Sequence, residues 1–170
     1  MQHARLIWCH GSLSHPWGEK STALAAVAKA AGMTMEAPDF SDLDAPEARI
    51  KRLRTLLADS ESPVLLAGSS MGGYVAAAQA ETSDVRGLFL LAPAFYMPGY
   101  EKSEFPGLPK NLTVVHGWED DTVPPDNVIR FAREHDARLH ILPDGHRLSN
   151  SLDELSALFA QFLSRAGGQS

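Results

Sequence analysis

The sequence is poor in cysteine and in clustered basic residues. Cys9 is its single cysteine, so the chain cannot form an internal disulfide bond, and a disulfide-stapled scaffold is excluded. The 15 Lys and Arg residues are outnumbered by 21 Asp and Glu residues, and no block of Lys or Arg stands out. This balance argues against nucleic acid or an anionic membrane as the main partner.

Long hydrophobic runs and ligand motifs are also missing. No stretch reaches the ~18 apolar residues of a membrane span, and no early run has the length of a signal peptide, so we expect a cytoplasmic protein. The seven histidines are scattered, and none pairs with a cysteine or a second histidine at zinc-ligand spacing. The segment GSSMGG lacks the spacing of a dinucleotide fingerprint. We therefore expect no metal and no cofactor.

What is present predicts a single α/β domain over 1–170, with a flexible tail at 167–170. The length of 170 residues and the hydrophobic content of 44% suffice for one buried core. Short apolar runs alternate with helical patterns, which predicts a doubly wound, mainly parallel sheet of about six strands with helices on both faces. The predicted strands are 6–9, 33–37, 64–68, 85–92, 112–116 and 138–142. The predicted helices are 21–31, 45–59, 126–135 and 152–165, with a further one directly after 68.

Segment 95–111 breaks this alternation. It contains three prolines and two glycines, which predicts an irregular loop instead of a helix. It leaves the carboxyl end of a strand, where ligands bind in such sheets. We expect it to border the functional site and to limit substrate size.

The strongest chemical signal is the pentapeptide GSSMG at 68–72. It matches G-x-S-x-G with a buried strand before it and a helix after it, the context of a nucleophile on a strained turn. The flanking glycines lack the Cβ atoms that would collide inside such a turn, and the helix N-terminus favours negative charge. Ser70 is therefore the candidate nucleophile.

A serine nucleophile needs a base and an acid, which in this kind of sheet follow it in the order acid, then histidine. His135 falls in a charged helical pattern and His140 lies inside a strand, so only His146, on the turn after the last strand, is suitably placed. For the acid, three adjacent candidates lie on the turn after 112–116: Glu119, Asp120 and Asp121. Asp126 is instead predicted to cap the following helix.

Two backbone N–H groups are expected to bind the oxyanion of an acyl-transfer reaction. Met71 follows the nucleophile directly, and Ser12 follows Gly11, whose missing side chain allows a close approach. His10 is interpreted as a structural hydrogen-bonding residue. Aromatic side chains near the predicted site could line a substrate pocket or belong to the core: Trp17, Phe95, Tyr96 and Trp118.

Four motifs taken together resemble the α/β-hydrolase superfamily: LIWCHGS, GSSMGGY, HGWEDDTVP and PDGHRL. The likeness extends to short bacterial esterases of the YqiA type, in which a Lys-containing helix start, like that at 18–21 here, follows the first motif. The resemblance implies a minimal α/β-hydrolase fold without a cap domain. It also implies that Asp120 is the acid of the triad, because the third motif resembles H-G-x-x-D-x-x-V-P. Ser12 differs from the family, where an apolar residue is common.

These observations favour a serine hydrolase that cleaves a small carboxylic ester or thioester through Ser70, His146 and Asp120. Its partner would be a small-molecule acyl substrate, and the sequence does not indicate an oligomeric state. One alternative is a non-catalytic binding protein on a hydrolase scaffold. Another is the same triad acting on an amide, a lactone or a C–C bond, which fold alone does not exclude.

Overall fold

A computed structural model describes residues 4–168, and its centre is a sheet of six parallel strands in the order β2-β1-β3-β4-β5-β6. The strands are β1 (Arg5–Cys9), β2 (Met35–Glu36), β3 (Val64–Ser69), β4 (Val85–Leu91), β5 (Asn111–Gly117) and β6 (Arg138–Leu142). The helices are α1 (Glu19–Ala30), α2 (Pro46–Leu57), α3 (Met71–Gln79), α4 (Pro125–Glu134) and α5 (Leu152–Gly167). The predicted fold class is confirmed.

Two apolar layers cover the two faces of the sheet. Helices α1 and α5 pack on one face through side chains such as Leu24 and Phe159, and α2, α3 and α4 pack on the other through Leu53, Val75 and Phe131. The inner strands are buried on both faces, which explains why they appear in the sequence as continuous apolar runs. Cys9 lies in this core, and burial raises the pKa of its thiol to about 12.

The strand order reverses between β1 and β3. From β1 the chain first adds β2 on one side and then returns to add β3 to β6 on the other, so β1 and β3 are neighbours whose following loops diverge. The register pairs Cys9 with Gly68 at the carboxyl ends of these strands. Such a switch point opens a crevice, which is where doubly wound sheets bind ligands.

The structure bears on three local predictions: those for segment 95–111, for Asp126 and for the C-terminal tail. Segment 95–111 has no helix up to β5, which begins at Asn111. Asp126 does not cap α4, because Pro124 occupies the N-cap position and Pro125 begins the helix. At the predicted flexible tail, Gly167 is the last residue of α5, and residues 169 and 170 lie outside the described residues. None of the helices described is long and apolar enough to cross a membrane.

Candidate active site

Ser70 lies on a strained turn between β3 and α3. Its backbone angles are φ 54° and ψ −116°, a conformation that non-glycine residues rarely adopt. The turn is fixed by hydrogen bonds from both sides: the Ser70 N–H donates to the Leu91 carbonyl at 2.9 Å, and the Ser70 carbonyl accepts from the Ala94 N–H at 3.1 Å. The strain therefore persists because the surrounding backbone holds it.

The glycines around Ser70 are required by close backbone contacts. A Cβ on Gly72 would lie 1.9 Å from the carbonyl oxygen of Cys9, so α3 approaches β1 without a side chain between them. A Cβ on Gly68 would lie 2.4 Å from the carbonyl oxygen of Gly72. Both contacts exclude any larger residue, which is the physical reason for the glycines of the G-x-S-x-G motif.

Ser70, His146 and Asp120 form a hydrogen-bonded chain. His146 Nε2 lies 3.0 Å from Ser70 Oγ, and His146 Nδ1 lies 2.7 Å from Asp120 Oδ2. An ionised carboxylate only accepts hydrogen bonds, so we assign the proton of a neutral His146 to Nδ1. Nε2 is then free to accept the Ser70 hydroxyl proton.

Asp120 is buried and held by several donors. Burial alone would raise the pKa of its carboxyl group, but the hydrogen bond with His146 and those from the Val123 and Thr122 N–H groups outweigh it, so the pKa lies below its usual value. The Thr122 and Val123 N–H groups donate to Oδ1 at 2.9 and 2.8 Å. The carboxylate is therefore ionised and fixed in orientation. Its neighbours Glu119 and Asp121 are exposed.

A second imidazole, that of His116, lies beside this carboxylate. His116 is fully buried, with Nε2 2.9 Å from the Val123 carbonyl oxygen and 3.2 Å from Asp120 Oδ2. Its Nδ1 has no hydrogen-bond partner among residues 4–168. Burial lowers the pKa of His116, so it is neutral with its proton on Nε2, directed towards Val123 and Asp120.

The loop that carries His146 is built around Asp144. The Asp144 carboxylate is buried and accepts hydrogen bonds from the Gly145 N–H at 2.7 Å, the Asn150 N–H at 2.9 Å and the Ser151 hydroxyl at 2.7 Å. Burial would raise its pKa, but these bonds, led by that from Ser151, hold the pKa below its usual value. The loop also lies directly against Gly117, where a Cβ would be 2.2 Å from the Asp144 carbonyl oxygen.

The loop after β1 approaches the nucleophile from the opposite side. A Cβ on Gly11 would lie 3.7 Å from the Cβ of Ser70, which is an ordinary van der Waals distance, so the loop lies against Ser70 but does not require a glycine for this contact. Within residues 4–168, neither the Ser12 N–H nor the Met71 N–H donates a hydrogen bond. Both donors predicted for the oxyanion are thus available to a ligand.

The side chains of His10 and Arg49 form hydrogen bonds that hold this loop. His10 Nε2 accepts a hydrogen bond from the Phe40 N–H at 2.9 Å, which matches its interpretation as a structural residue. Arg49, on α2, is only 2% exposed and donates to the His10 carbonyl at 2.8 Å and to the Gly11 carbonyl at 3.2 Å. Arg49 was not predicted as a functional residue, because its helical pattern gives no sign of a contact 38 residues away.

The four predicted pocket residues are in different environments. Trp17 and Trp118 are exposed, on the loops after β1 and β5. Phe95 is fully buried and stacks on Phe131 with ring centroids 3.9 Å apart, so for it the structure favours the core alternative. Tyr96 lies against α4, with its hydroxyl 3.1 Å from Glu134.

A cavity of about 520 Å³ adjoins His146, and none of these four aromatic residues lines it. Its lining is mostly polar and comes from the loops that carry the acid and the histidine. It consists of Asp121, Thr122, Asp144, Gly145, His146, Arg147, Ser149 and Asn150. A contribution of Trp17, Tyr96 or Trp118 to substrate binding stays a prediction.

Segment 95–111 runs along α3. The Lys102 N–H donates to the Tyr74 hydroxyl at 2.9 Å, the Tyr100 ring packs edge-on against Tyr74, and a Cβ on Gly107 would lie 3.1 Å from the Ala80 carbonyl oxygen. These contacts are with Tyr74 and the end of α3, and not with Ser70. The expected role of the segment in limiting substrate size stays a prediction.

Among the described residues, no group of three or more His, Cys, Asp and Glu side chains is placed to hold a metal ion. The residues that surround Ser70 instead offer a nucleophile, a base, a fixed carboxylate and unpaired backbone donors. This combination is suited to acyl transfer.

Comparison with known proteins identifies relatives that cover most of the chain. A family model described as an alpha/beta hydrolase domain matches residues 26–157. A protein assigned to the alpha/beta superfamily of hydrolases, from Xanthomonas campestris pv. campestris, is 37% identical, with a TM-score of 0.88 over 96% of this chain and 99% of that chain. No curated protein matches the sequence.

More distant structures share the fold. The ydeN gene product from B. subtilis is 17% identical, with a TM-score of 0.81 over 95% of this chain and 100% of that chain. Est1E from Butyrivibrio proteoclasticus, solved with ferulic acid bound, is 15% identical, with a TM-score of 0.79 over 99% of this chain and 91% of that chain. At such low identity these two structures support the architecture alone.

Proposed function

The chain belongs to the alpha/beta-hydrolase family, and from this premise we propose that it is a serine hydrolase that cleaves a small carboxylic ester or thioester. The observation that carries the proposal is the chain of hydrogen bonds from Ser70 Oγ through the His146 imidazole to the Asp120 carboxylate, with distances of 3.0 and 2.7 Å. These are the contacts that a nucleophile, its base and the orienting acid require.

The reaction begins when Ser70 Oγ attacks the acyl carbon of the substrate and His146 Nε2 takes the hydroxyl proton. The carbonyl oxygen becomes an oxyanion and accepts hydrogen bonds from the Ser12 and Met71 N–H groups. Asp120 stabilises the imidazolium by accepting a hydrogen bond from its Nδ1–H and does not itself take the proton.

Collapse of this intermediate breaks the bond to the alcohol or thiol, which leaves with the proton from His146 Nε2. Water then attacks the acyl group on Ser70, again with His146 as base, and releases the carboxylic acid. The second half of the reaction restores the serine hydroxyl, so no cofactor is consumed.

The decisive experiment compares Ser70→Ala with Ser69→Ala. Ser69 is the matched control, because it is the preceding serine and its side chain lies on the α1 side of the sheet, where it accepts a hydrogen bond from Lys20. We expect Ser70→Ala to lower kcat on the order of 10⁶-fold without loss of fold. Ser69→Ala should lose far less.

Activity is to be measured on a panel of esters and thioesters of increasing acyl length, together with labelling by a fluorophosphonate probe. Labelling of wild-type protein that disappears in Ser70→Ala supports the proposal. A folded wild-type protein that neither reacts with the probe nor hydrolyses any member of the panel would instead support the binding-protein alternative. Activity lost only in Ser69→Ala would overturn the assignment of the nucleophile.

A further inference from the structure

Lys20 brings a positive charge to Ser69, the residue that precedes the nucleophile. It lies in the first turn of α1, is largely buried, and its Nζ donates to Ser69 Oγ at 3.3 Å. A hydroxyl is a weak partner for a buried ammonium group, because it supplies no compensating charge. Burial lowers the pKa of Lys20, and the positive charge of Arg147 lowers it further.

The carboxylates closest to Lys20 are engaged elsewhere. Asp120 and Asp144 both attract its charge, but Asp120 is bound by His146 and the 122–123 backbone, and Asp144 by its own loop. In the part of the chain that the structure describes, neither Lys20 nor Arg147 forms an ion pair with a carboxylate. Lys20 therefore retains donors that no acidic side chain occupies.

Arg147 is the second cation at this position. It directly follows His146, its side chain is exposed, and it lines the cavity of about 520 Å³ beside the imidazole. The positive charges of Lys20 and Arg147 repel each other, and an anionic ligand that binds both would relieve this repulsion.

We propose that Lys20 and Arg147 form an anion subsite beside Ser70, and that the substrate is an ester or thioester that carries a carboxylate near the scissile bond. This inference rests on the proposed function. The remaining charges favour one small anion over a polyanion: Asp121 and Asp144 line the same cavity, and the chain has a net charge of −6.

Two pairs of esters of similar size test the subsite and locate the carboxylate. In the first pair, monoethyl succinate carries a carboxylate on its acyl part and ethyl butyrate is its neutral counterpart. In the second pair, acetoxyacetate carries a carboxylate on its leaving group and propyl acetate is its neutral counterpart. For each pair we measure the ratio of kcat/KM, anionic over neutral. We expect a ratio above one for at least one pair, and a decrease of about tenfold in Lys20→Met and in Arg147→Gln, the loss of one charge-assisted hydrogen bond.

Lys29→Met is the matched control, because it removes the same charge from the exposed far end of the same helix and should leave the ratio unchanged. Arg147→Gln alters an exposed side chain, so its result does not depend on tolerance of a change at the more buried Lys20. A ratio that is equal in wild type, Lys20→Met and Arg147→Gln for both pairs overturns the subsite but leaves the proposed hydrolysis intact.

Calorimetric titration with succinate separates the subsite from catalysis. Succinate should bind wild-type protein at least about tenfold more tightly than it binds Lys20→Met, and raised salt should weaken this binding. Succinate binding that depends on Lys20, in a protein that hydrolyses no ester, would support the subsite and overturn the proposed function. Equal affinity of both proteins for succinate overturns the subsite.

Discussion

The two sides of the candidate site are built in different ways. The acid–histidine side consists of the loops 118–124 and 143–151, where two buried carboxylates bind backbone N–H groups and fix the chain from within. The oxyanion side is the loop 10–18, whose Leu13 is 98% exposed and has a φ of 52°. The Arg49 side chain, on α2, holds this loop through a hydrogen bond to the His10 carbonyl group.

The difference follows from what each side has to do. Proton transfer needs heavy atoms fixed within hydrogen-bond distance, so the histidine and its acid benefit from loops that are internally bonded. An oxyanion binds to backbone N–H groups that must remain unpaired. The loop 10–18 therefore cannot use all its N–H groups in internal hydrogen bonds, and it depends on side chains outside the loop to hold its conformation. The following predictions test this contrast, in order of decreasing effect.

The largest effect is expected on the acid–histidine side, from Asp120→Asn. The neutral amide can donate to His146 Nδ1 and then favours the wrong tautomer, so kcat should decrease on the order of 10⁴-fold. Asp121→Asn and Glu119→Gln are the controls, since both side chains are exposed, and each should change kcat less than about threefold. Steady-state kinetics with one activated ester measure kcat for the three variants. A larger loss of kcat in Asp121→Asn or Glu119→Gln than in Asp120→Asn would place the acid at another residue.

Next comes Arg49→Met on the oxyanion side. The change leaves the carbonyl groups of His10, Gly11 and Leu43 without their buried donor, which should lower the free energy of unfolding by about 3 kcal/mol. Denaturant unfolding measures this loss. Arg54→Met, an exposed change on the same helix, is the control. If both variants are equally stable, the loop does not depend on Arg49.

A smaller effect, about 2 kcal/mol, is expected for Asp144→Asn, because the amide cannot accept all the bonds that the carboxylate accepts. Since the pKa of Asp144 is lower in the folded protein, its stabilisation is complete above the unfolded value of about 3.9 and is lost as the pH falls through the folded value. Wild type should therefore lose stability on acidification below about pH 4 more steeply than the variant. Parallel curves for the two proteins would contradict this.

The smallest effect is expected for Leu13→Ser. Its side chain is almost fully exposed, so the free energy of unfolding should change by no more than about 0.5 kcal/mol. Activity should also stay within about twofold, because the loop contributes backbone groups and not this side chain. A large loss of activity with unchanged stability would indicate that Leu13 contacts the substrate.

The sequence predicts what depends on local pattern. Apolar runs identify the parallel strands, because strands in the middle of the sheet are buried on both faces. The glycines around Ser70 identify the turn, because the backbone there lies too close to its neighbours for a side chain. The family resemblance singles out Asp120 among three adjacent acids, and it is the buried one.

The contributions of Arg49, Lys20 and His116 could not be predicted in this way. Lys20 and Ser69 are 49 residues apart, and only the folded sheet brings α1 to the end of β3. The helix begins at Pro125, one residue before the predicted start at Asp126, because proline has a fixed φ that suits the first helical position. Phe95 could not be assigned from sequence, since a core aromatic and a pocket aromatic have the same local pattern.

The burial of Cys9 has a practical consequence for following motion in this molecule. Its thiol is 1% exposed and its pKa is raised to about 12, so maleimide reagents at neutral pH should not modify it, and the native chain behaves as a cysteine-free background. A single Leu13→Cys or Trp118→Cys substitution would then carry a fluorophore or spin label at one chosen loop. Spectra from the two labelled proteins would report separately on the mobility of each side.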